Sequence, residues 1–380
     1  MKPMNTRNII TSLLILIGSA NANAQVEKWQ TGLVKQEFLY DQAPFPSCHS
    51  ATLAETPGGL VAAYFGGTKE RDPDVEIYIS RMVDGKWLAP VSVANGIQPN
   101  AKRLPTWNPV LYQIPNGELL LFYKVGPKPS EWWGMMKTSN DNGKSWSEAT
   151  KLPDGYIGPV KNKPILLSNG NLIAPSSKEG KGWKIHFEVT ADHGKTWRTI
   201  GPVPDSGLNA IQPSILKHGN GKIQILARSQ NRALVQSWSM DNGETWSALT
   251  KTKLPNNNSG TDAVTLKDGR QVLVYNHVLP PGDLAKGPRT PLNVAVSKDG
   301  IDWSAALILE DSPISQYSYP AVIQTSDGML HFIYTWRREK IKHVVVDPSK
   351  MKLRKIKDGA WPKLKGYSSP VTKETKNEES

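Results

Sequence analysis

The residues able to do chemistry in this chain recur at fixed places in a repeated pattern. His49, Trp107, Asn108, Lys161, Lys163, Gln212, Asp262, Tyr317 and Tyr319 begin short apolar runs, while Glu70, Lys124, Lys178, Glu179, Arg228, Asn276, His277, Trp336 and Arg337 end the runs that follow. Asp72, Asp74 and Arg289 precede third runs. Cations outnumber anions in this set, and Trp and Tyr are interleaved with them. Guanidinium forks pair with carboxylates, and aromatic faces pack against sugar rings. The expected partner is therefore an acidic, carboxylated glycan.

The elements that must position these residues can be read from two repeats. Ser139-Asn-Asp-Asn-Gly-Lys-Ser-Trp146 returns as Thr190-Ala-Asp-His-Gly-Lys-Thr-Trp197 and as Ser239-Met-Asp-Asn-Gly-Glu-Thr-Trp246, with shorter forms ending at Trp87 and Trp303. Each is a turn: Asp bonds the backbone ahead of it, Gly takes positive φ, and Trp ends the loop by burying its ring. The Trp spacings of 59, 51, 49 and 57 residues point to a repeat array. Six openings, at His49, Trp107, Asn162, Ile211, Thr261 and Tyr319, each lead through a Gly-containing hairpin turn into a second strand, and most into a recognisable third.

Six openings imply an all-β, six-bladed propeller of four-stranded antiparallel blades. The last blade lacks the Asp turn, so Leu33 to Leu39 is expected to supply its outer strand and close the ring. In such a blade, first-strand starts, second-strand ends and third-strand starts share one face. The Asp turns lie on the other face and are structural.

Composition narrows the function classes. The chain has 380 residues, 13 Trp, a single cysteine and a formal charge of +12. Residues 1–24 have the layout of a cleavable secretory signal, with Lys2 and Arg7 before an apolar run from Ile9 to Ala20 and Ala22-Asn-Ala24 before the cut. Residues 25–350 are expected to form the propeller and 351–380 a basic, partly disordered, solvated tail. A periplasmic or secreted monomer without a membrane span follows as the expectation. Nucleic acid is not an expected partner, since the chain is exported and shows no stacking motif. No cofactor is expected, and no pair of His residues at ligand spacing points to a metal.

The Asp turns, the blade count and several of the site residues resemble the sialidase (neuraminidase) superfamily over about Ser47 to Asp347. Arg289-Thr-Pro-Leu-Asn-Val-Ala-Val-Ser297 followed by Tyr317-Ser318 is similar to the stretch carrying that family's third arginine and tyrosine nucleophile; Ile225-Leu-Ala-Arg228 resembles the second arginine's strand. Glu70-Arg-Asp-Pro-Asp74 resembles the loop bearing the acid/base aspartate, which either Asp72 or Asp74 matches. Two positions depart from the pattern. The first arginine of the family triad is missing from Phe45-Pro-Ser-Cys-His49, and Ala210 stands where the glutamate assisting the tyrosine is found, leaving Glu179 or Glu188 as its replacement.

Three readings follow. In an exo-acting glycoside hydrolase, the resemblance implies that Tyr317 attacks, Asp72 or Asp74 protonates the leaving oxygen, and Arg228 with Arg289 holds the carboxylate; neutral tyrosine suits an anionic substrate that a carboxylate nucleophile would repel. In a polysaccharide lyase, Arg228, Arg289, Lys124 and Lys163 neutralise a uronate while His49 or Tyr319 acts as base. In a non-catalytic glycan-binding propeller, the same basic and aromatic residues only bind. Trp107, Asn108, Asn276, Tyr319 and Arg337 complete the expected substrate-binding set.

Overall fold

The computed structural model describes residues 30–180 and 182–363 and is built from strands alone. The leader-like segment and residues 364–380 lie outside the described residues. Six antiparallel sheets follow one another along the chain. The first blade runs Ser47–Thr56, Gly59–Gly67 and Glu76–Val83, with Val91–Ala94 outermost. The second comprises Thr106–Gln113, Leu119–Val125, Trp133–Ser139 and Thr150–Lys151; the third, Ile165–Leu166, Leu172–Lys178, Lys184–Thr190 and Arg198–Ile200. The fourth comprises Ala210–Lys217, Ile223–Ser229, Ala233–Ser239 and Thr250–Pro255; the fifth, Asp262–Thr265, Gln271–Tyr275, Leu292–Ser297 and Trp303–Glu310.

The sixth blade joins Tyr317–Gln324, Leu330–Trp336 and Lys340–Val346 to Leu33–Phe38, which pairs antiparallel with the third of these. The ring is thus a six-bladed propeller closed by its earliest strand, as expected. Six apolar clusters lie one at each junction between neighbouring blades: Val110, Phe122 and Leu172 join the second blade to the third, and Tyr64, Ile333 and Ile341 join the sixth to the first. Full burial of each such side chain is worth about 1.5–3 kcal/mol, so the junctions help hold the ring alongside the ladders.

The chain beyond Lys350 is not a solvated tail throughout. Arg354–Lys355 adds a fifth strand to the fifth blade, and Met351 and Ile356 are buried.

One irregularity decides where side chains point. The inner strands of the first, second, fourth and sixth blades carry a register shift between His49/Thr52, Trp107/Val110, Ile211/Ser214 and Ser318/Ala321. At each, a non-glycine residue takes positive φ: Ser50 (58°), Asn108 (32°), Gln212 (57°) and Tyr319 (50°). A regular strand would put Tyr317 and Tyr319 on one face, but a bulge breaks that alternation.

Candidate functional site

Tyr319 occupies the centre of the mouth. Its hydroxyl oxygen accepts from Arg228 Nη1 at 2.7 Å and from Gln212 Nε2 at 3.2 Å. The bulge turns this ring out of the sheet, and Gly260 leaves room for it: a Cβ there would lie 3.2 Å from Tyr319 Cδ2. Arg228 is buried at the end of its strand and fixed on all sides. Its Nε donates to Asn258 Oδ1 at 2.8 Å, its Nη1 reaches Gln212 Oε1 at 3.3 Å, and the Trp183 ring lies 5.2 Å from its guanidinium. Two donors aimed at one phenolic oxygen stabilise negative charge developing there.

Two further arginines stand beside this pair. Arg289 lies 5.6 Å from the Tyr319 ring centroid and donates to Gln316 Oε1 at 2.9 Å. Arg338 donates to the same oxygen at 3.2 Å and pairs with Glu70 at 2.7 Å. Three guanidinium groups from the fourth, fifth and sixth blades therefore converge. Arg338 is the residue that sequence reasoning missed; it selected the neighbouring Arg337, which instead stacks over Trp336 at 5.0 Å and faces Glu339. The Arg337-Arg338 pair was visible, but which one turns inward is set by a turn with φ of 56° and 63°.

The acidic loop of the first blade separates its two aspartates. Asp74 Oδ2 accepts from both the backbone N and the hydroxyl of Thr68 at 2.8 Å, so it holds the loop's shape. Asp72 is half-exposed and its carboxylate has no hydrogen-bond partner among the described residues. Glu70, two residues earlier, ties the loop to Arg338 of the neighbouring sixth blade. Glu179 faces it from the third blade; burial raises its carboxyl above the usual range, against the opposing pull of Arg228.

His49 stands beside Tyr319 with ring centroids 4.2 Å apart and Nδ1 2.8 Å from Thr335 Oγ1. Burial, and then the charges of Arg338, Arg289, Lys161 and Arg228, hold its pKa well below the ordinary value, so it is neutral. Lys161 closes the floor. Its Nζ donates to the carbonyls of Thr261 (2.8 Å) and Pro320, and burial pushes its pKa down to about 7, opposed by the Asp262 charge.

Other expected members lie away from this centre. Tyr317 is buried in the junction between the fifth and sixth blades, against Trp336, and burial raises its pKa. Lys124 is enclosed, donating to the carbonyls of Asn108 and Pro159, with burial lowering its pKa to about 7. Lys163 is locked to Asp262 at 2.8 Å across the axis. Trp107 donates its indole N–H to Gly126 O at 2.7 Å and is buried; Asn108 is buried at its bulge. Asn276 bridges the carbonyls of Pro291 and Tyr317. Glu188 is likewise structural, accepting from the backbone of Ile157 and Gly158. These are polar groups consumed by the scaffold at strand ends, where backbone carbonyls and N–H groups need partners.

The sequence profile described as BNR repeat-like domain matches residues 58–332. Among curated proteins, the anhydrosialidase of Macrobdella decora is 22% identical over 54% of this chain and 30% of its own length, and a sialidase of Clostridium perfringens is 26% identical over 44% of this chain and 56% of its own. The chain thus spans about a third to just over half of these relatives. Among solved structures, a Dyadobacter fermentans protein of unknown function superposes with a TM-score of 0.67 at 17% identity, covering 84% of this chain and 99% of that one. The intramolecular trans-sialidase of Ruminococcus gnavus gives 0.66 at 14% identity, covering 85% and 99%. The NanB sialidase of Streptococcus pneumoniae gives 0.66 at 14%, covering 85% and 71%. These likenesses establish the fold.

Proposed function

The chain belongs to the BNR repeat-like domain family, as a divergent sialidase-like propeller, and from that premise we propose that it is an exo-acting glycoside hydrolase releasing a terminal carboxylated sugar. The observation that carries this reading is the Tyr319 hydroxyl held by Arg228 and Gln212 beside Arg289 and Arg338. The guanidinium groups hold the sugar carboxylate. Tyr319 Oη attacks the anomeric carbon as the bond to the leaving oxygen breaks, Asp72 gives that oxygen its proton, and Glu179 takes the proton of the phenol. Water then attacks the same carbon, its proton passing to Asp72. The tyrosyl oxygen leaves and regains its proton from Glu179. A tyrosine nucleophile avoids the like-charge opposition that a carboxylate would meet from an anionic substrate. The leader-like sequence supports export as the setting.

The test is incubation with sialosides and uronate-containing oligosaccharides, with products read by mass spectrometry and ultraviolet absorbance. A released sugar carrying one added water is expected. Tyr319→Phe should lower turnover by at least about a hundredfold while Tyr317→Phe keeps most of it. Equal activity in Tyr319→Phe and the parent would overturn the assignment.

His49 favours a second reading, β-elimination of a uronate. Its ring is neutral, lies against Tyr319, and its Nε2 makes no hydrogen bond in the described protein. An unsaturated, ultraviolet-absorbing product lost in His49→Ala would select it.

A further inference from the structure

One side-chain oxygen holds two of the three mouth arginines together. Gln316 Oε1 accepts from Arg289 Nη1 at 2.9 Å, from Arg338 Nε at 3.2 Å and from Ser318 Oγ at 2.9 Å. A guanidinium offers donors and no acceptor, so the amide can bond the two arginines only through its oxygen. The backbone fixes the same assembly. Arg337 N donates to Gln316 O at 2.7 Å, which seats the Arg337-Arg338 turn, and Tyr317 N donates to Arg289 O at 2.8 Å, which seats the chain before the third strand of the fifth blade.

Two like charges bonded to one oxygen repel, and the amide dipole offsets this without changing the net charge. A carboxylate in its place would make stronger, charge-assisted bonds to both guanidinium groups. It would also bring a negative charge to the place where a ligand carboxylate must dock, and Arg338 already faces one acid, Glu70 at 2.7 Å. Strength of the scaffold and charge of the mouth thus call for opposite residues here, and the chain has the uncharged one. We propose that Gln316 is a specificity-determining residue of the mouth: its neutral amide spaces Arg289 and Arg338 without neutralising them, so that the site selects a carboxylated sugar over its uncharged counterpart. This rests on the reading that the arginines hold the sugar carboxylate, and not on turnover.

The test is calorimetry with the methyl glycosides of N-acetylneuraminic acid and of glucuronic acid, and with their methyl esters as uncharged probes. Gln316→Glu keeps the shape and the acceptor, so it should unfold at the parent's temperature or above it. Its affinity for the carboxylated probe that the parent prefers should fall about tenfold or more, while the ester binds both proteins alike. The deficit should narrow between about 20 mM and about 500 mM salt, as the added charge is screened. Gln316→Met removes the acceptor and adds no charge; it should bind the carboxylated probe several-fold more weakly, with the salt dependence of the parent. Unchanged binding of the carboxylated probe in either folded variant overturns the proposal, as does an equal loss for acid and ester. Turnover separates this from the hydrolase reading. A parent that hydrolyses acidic glycosides, with kcat/KM unchanged in Gln316→Glu, overturns the proposal alone. The expected binding pattern without turnover of any acidic glycoside keeps the proposal and overturns the hydrolase. A parent that binds neither carboxylated probe more tightly than its ester overturns the arginine clamp and this proposal with it.

Discussion

Arg338 is held at the mouth by two interactions of different kind, a hydrogen bond donated to the uncharged Gln316 amide and an ion pair with Glu70. Arg338→Gln removes a charge-assisted partner for a carboxylate and frees the acidic loop. Affinity for a carboxylated ligand should fall about tenfold or more, measured by calorimetry on a folded variant. An unchanged affinity would assign Arg338 to the loop alone. His49, Arg228 and Arg289 could be recognised in the sequence because residue type and repeat position agreed. Tyr319 is legible as a binding residue but not as the centre, because the resemblance of Arg289–Ser297 followed by Tyr317-Ser318 to the family's nucleophile stretch points to Tyr317, whereas the bulge turns Tyr319 into the mouth. A signal was present: Asn108, Gln212 and Tyr319 each precede proline, which lacks a ladder donor and restricts the residue before it, and all three sit at bulges. Asn258, the partner of Arg228 Nε, lies in a run of three asparagines with no periodic pattern to place it.

The Asp turns show elements that could be read in full. Asp241 accepts from Ser239 Oγ at 2.7 Å and from the backbone N and hydroxyl of Thr245 at 2.9 and 2.5 Å, with Asn242 and Gly243 at positive φ. Trp246 closes the turn by donating to Gly243 O at 3.0 Å and stacking on Phe187 at 4.3 Å. Asp241→Ala should lower stability by about 1 kcal/mol in denaturant unfolding, since the carboxylate is exposed and solvent screens its bonds. The pH dependence has a defined sign. The Thr245 hydroxyl and backbone lower the Asp241 pKa from 3.8 to about 2, and Thr196 does the same for Asp192. Their stabilisation is complete above pH 3.8 and is lost as pH falls toward 2, so the parent should lose stability more steeply than Asp241→Ala across that window. The inner strand of the third blade, expected to open at Asn162, is only Ile165–Leu166; Lys161 and Asn162 instead spend their side chains on backbone carbonyls of the fifth and sixth blades and of the fourth.

The whole ring was legible because its repeats set both blade number and closure. The packing of the chain beyond Lys350 on the fifth blade was not, since its many lysines conceal Met351 and Ile356 among them. Closure also reaches the site. Phe38 on the closing strand meets Trp336 edge-on at 5.2 Å, directly before the Arg337-Arg338 turn. Phe38→Ala should cost about 1–2 kcal/mol by thermal or denaturant unfolding and weaken ligand binding beyond that expected of a remote surface change. A variant destabilised by that amount but binding normally would uncouple closure from the mouth.

The pairing of Leu33–Phe38 with Lys340–Val346 joins segments separated by some three hundred residues of intervening chain. Such a contact forms late, because its loop entropy is met only after the intervening blades are in place. During synthesis the first strand must therefore wait, with its edge unpaired, until the sixth blade has emerged. The blade it completes is the one that carries Tyr319 and Arg338, so ligand binding can appear only with the final step of folding, and chains halted short of the sixth blade leave both an open edge and an empty place at the mouth.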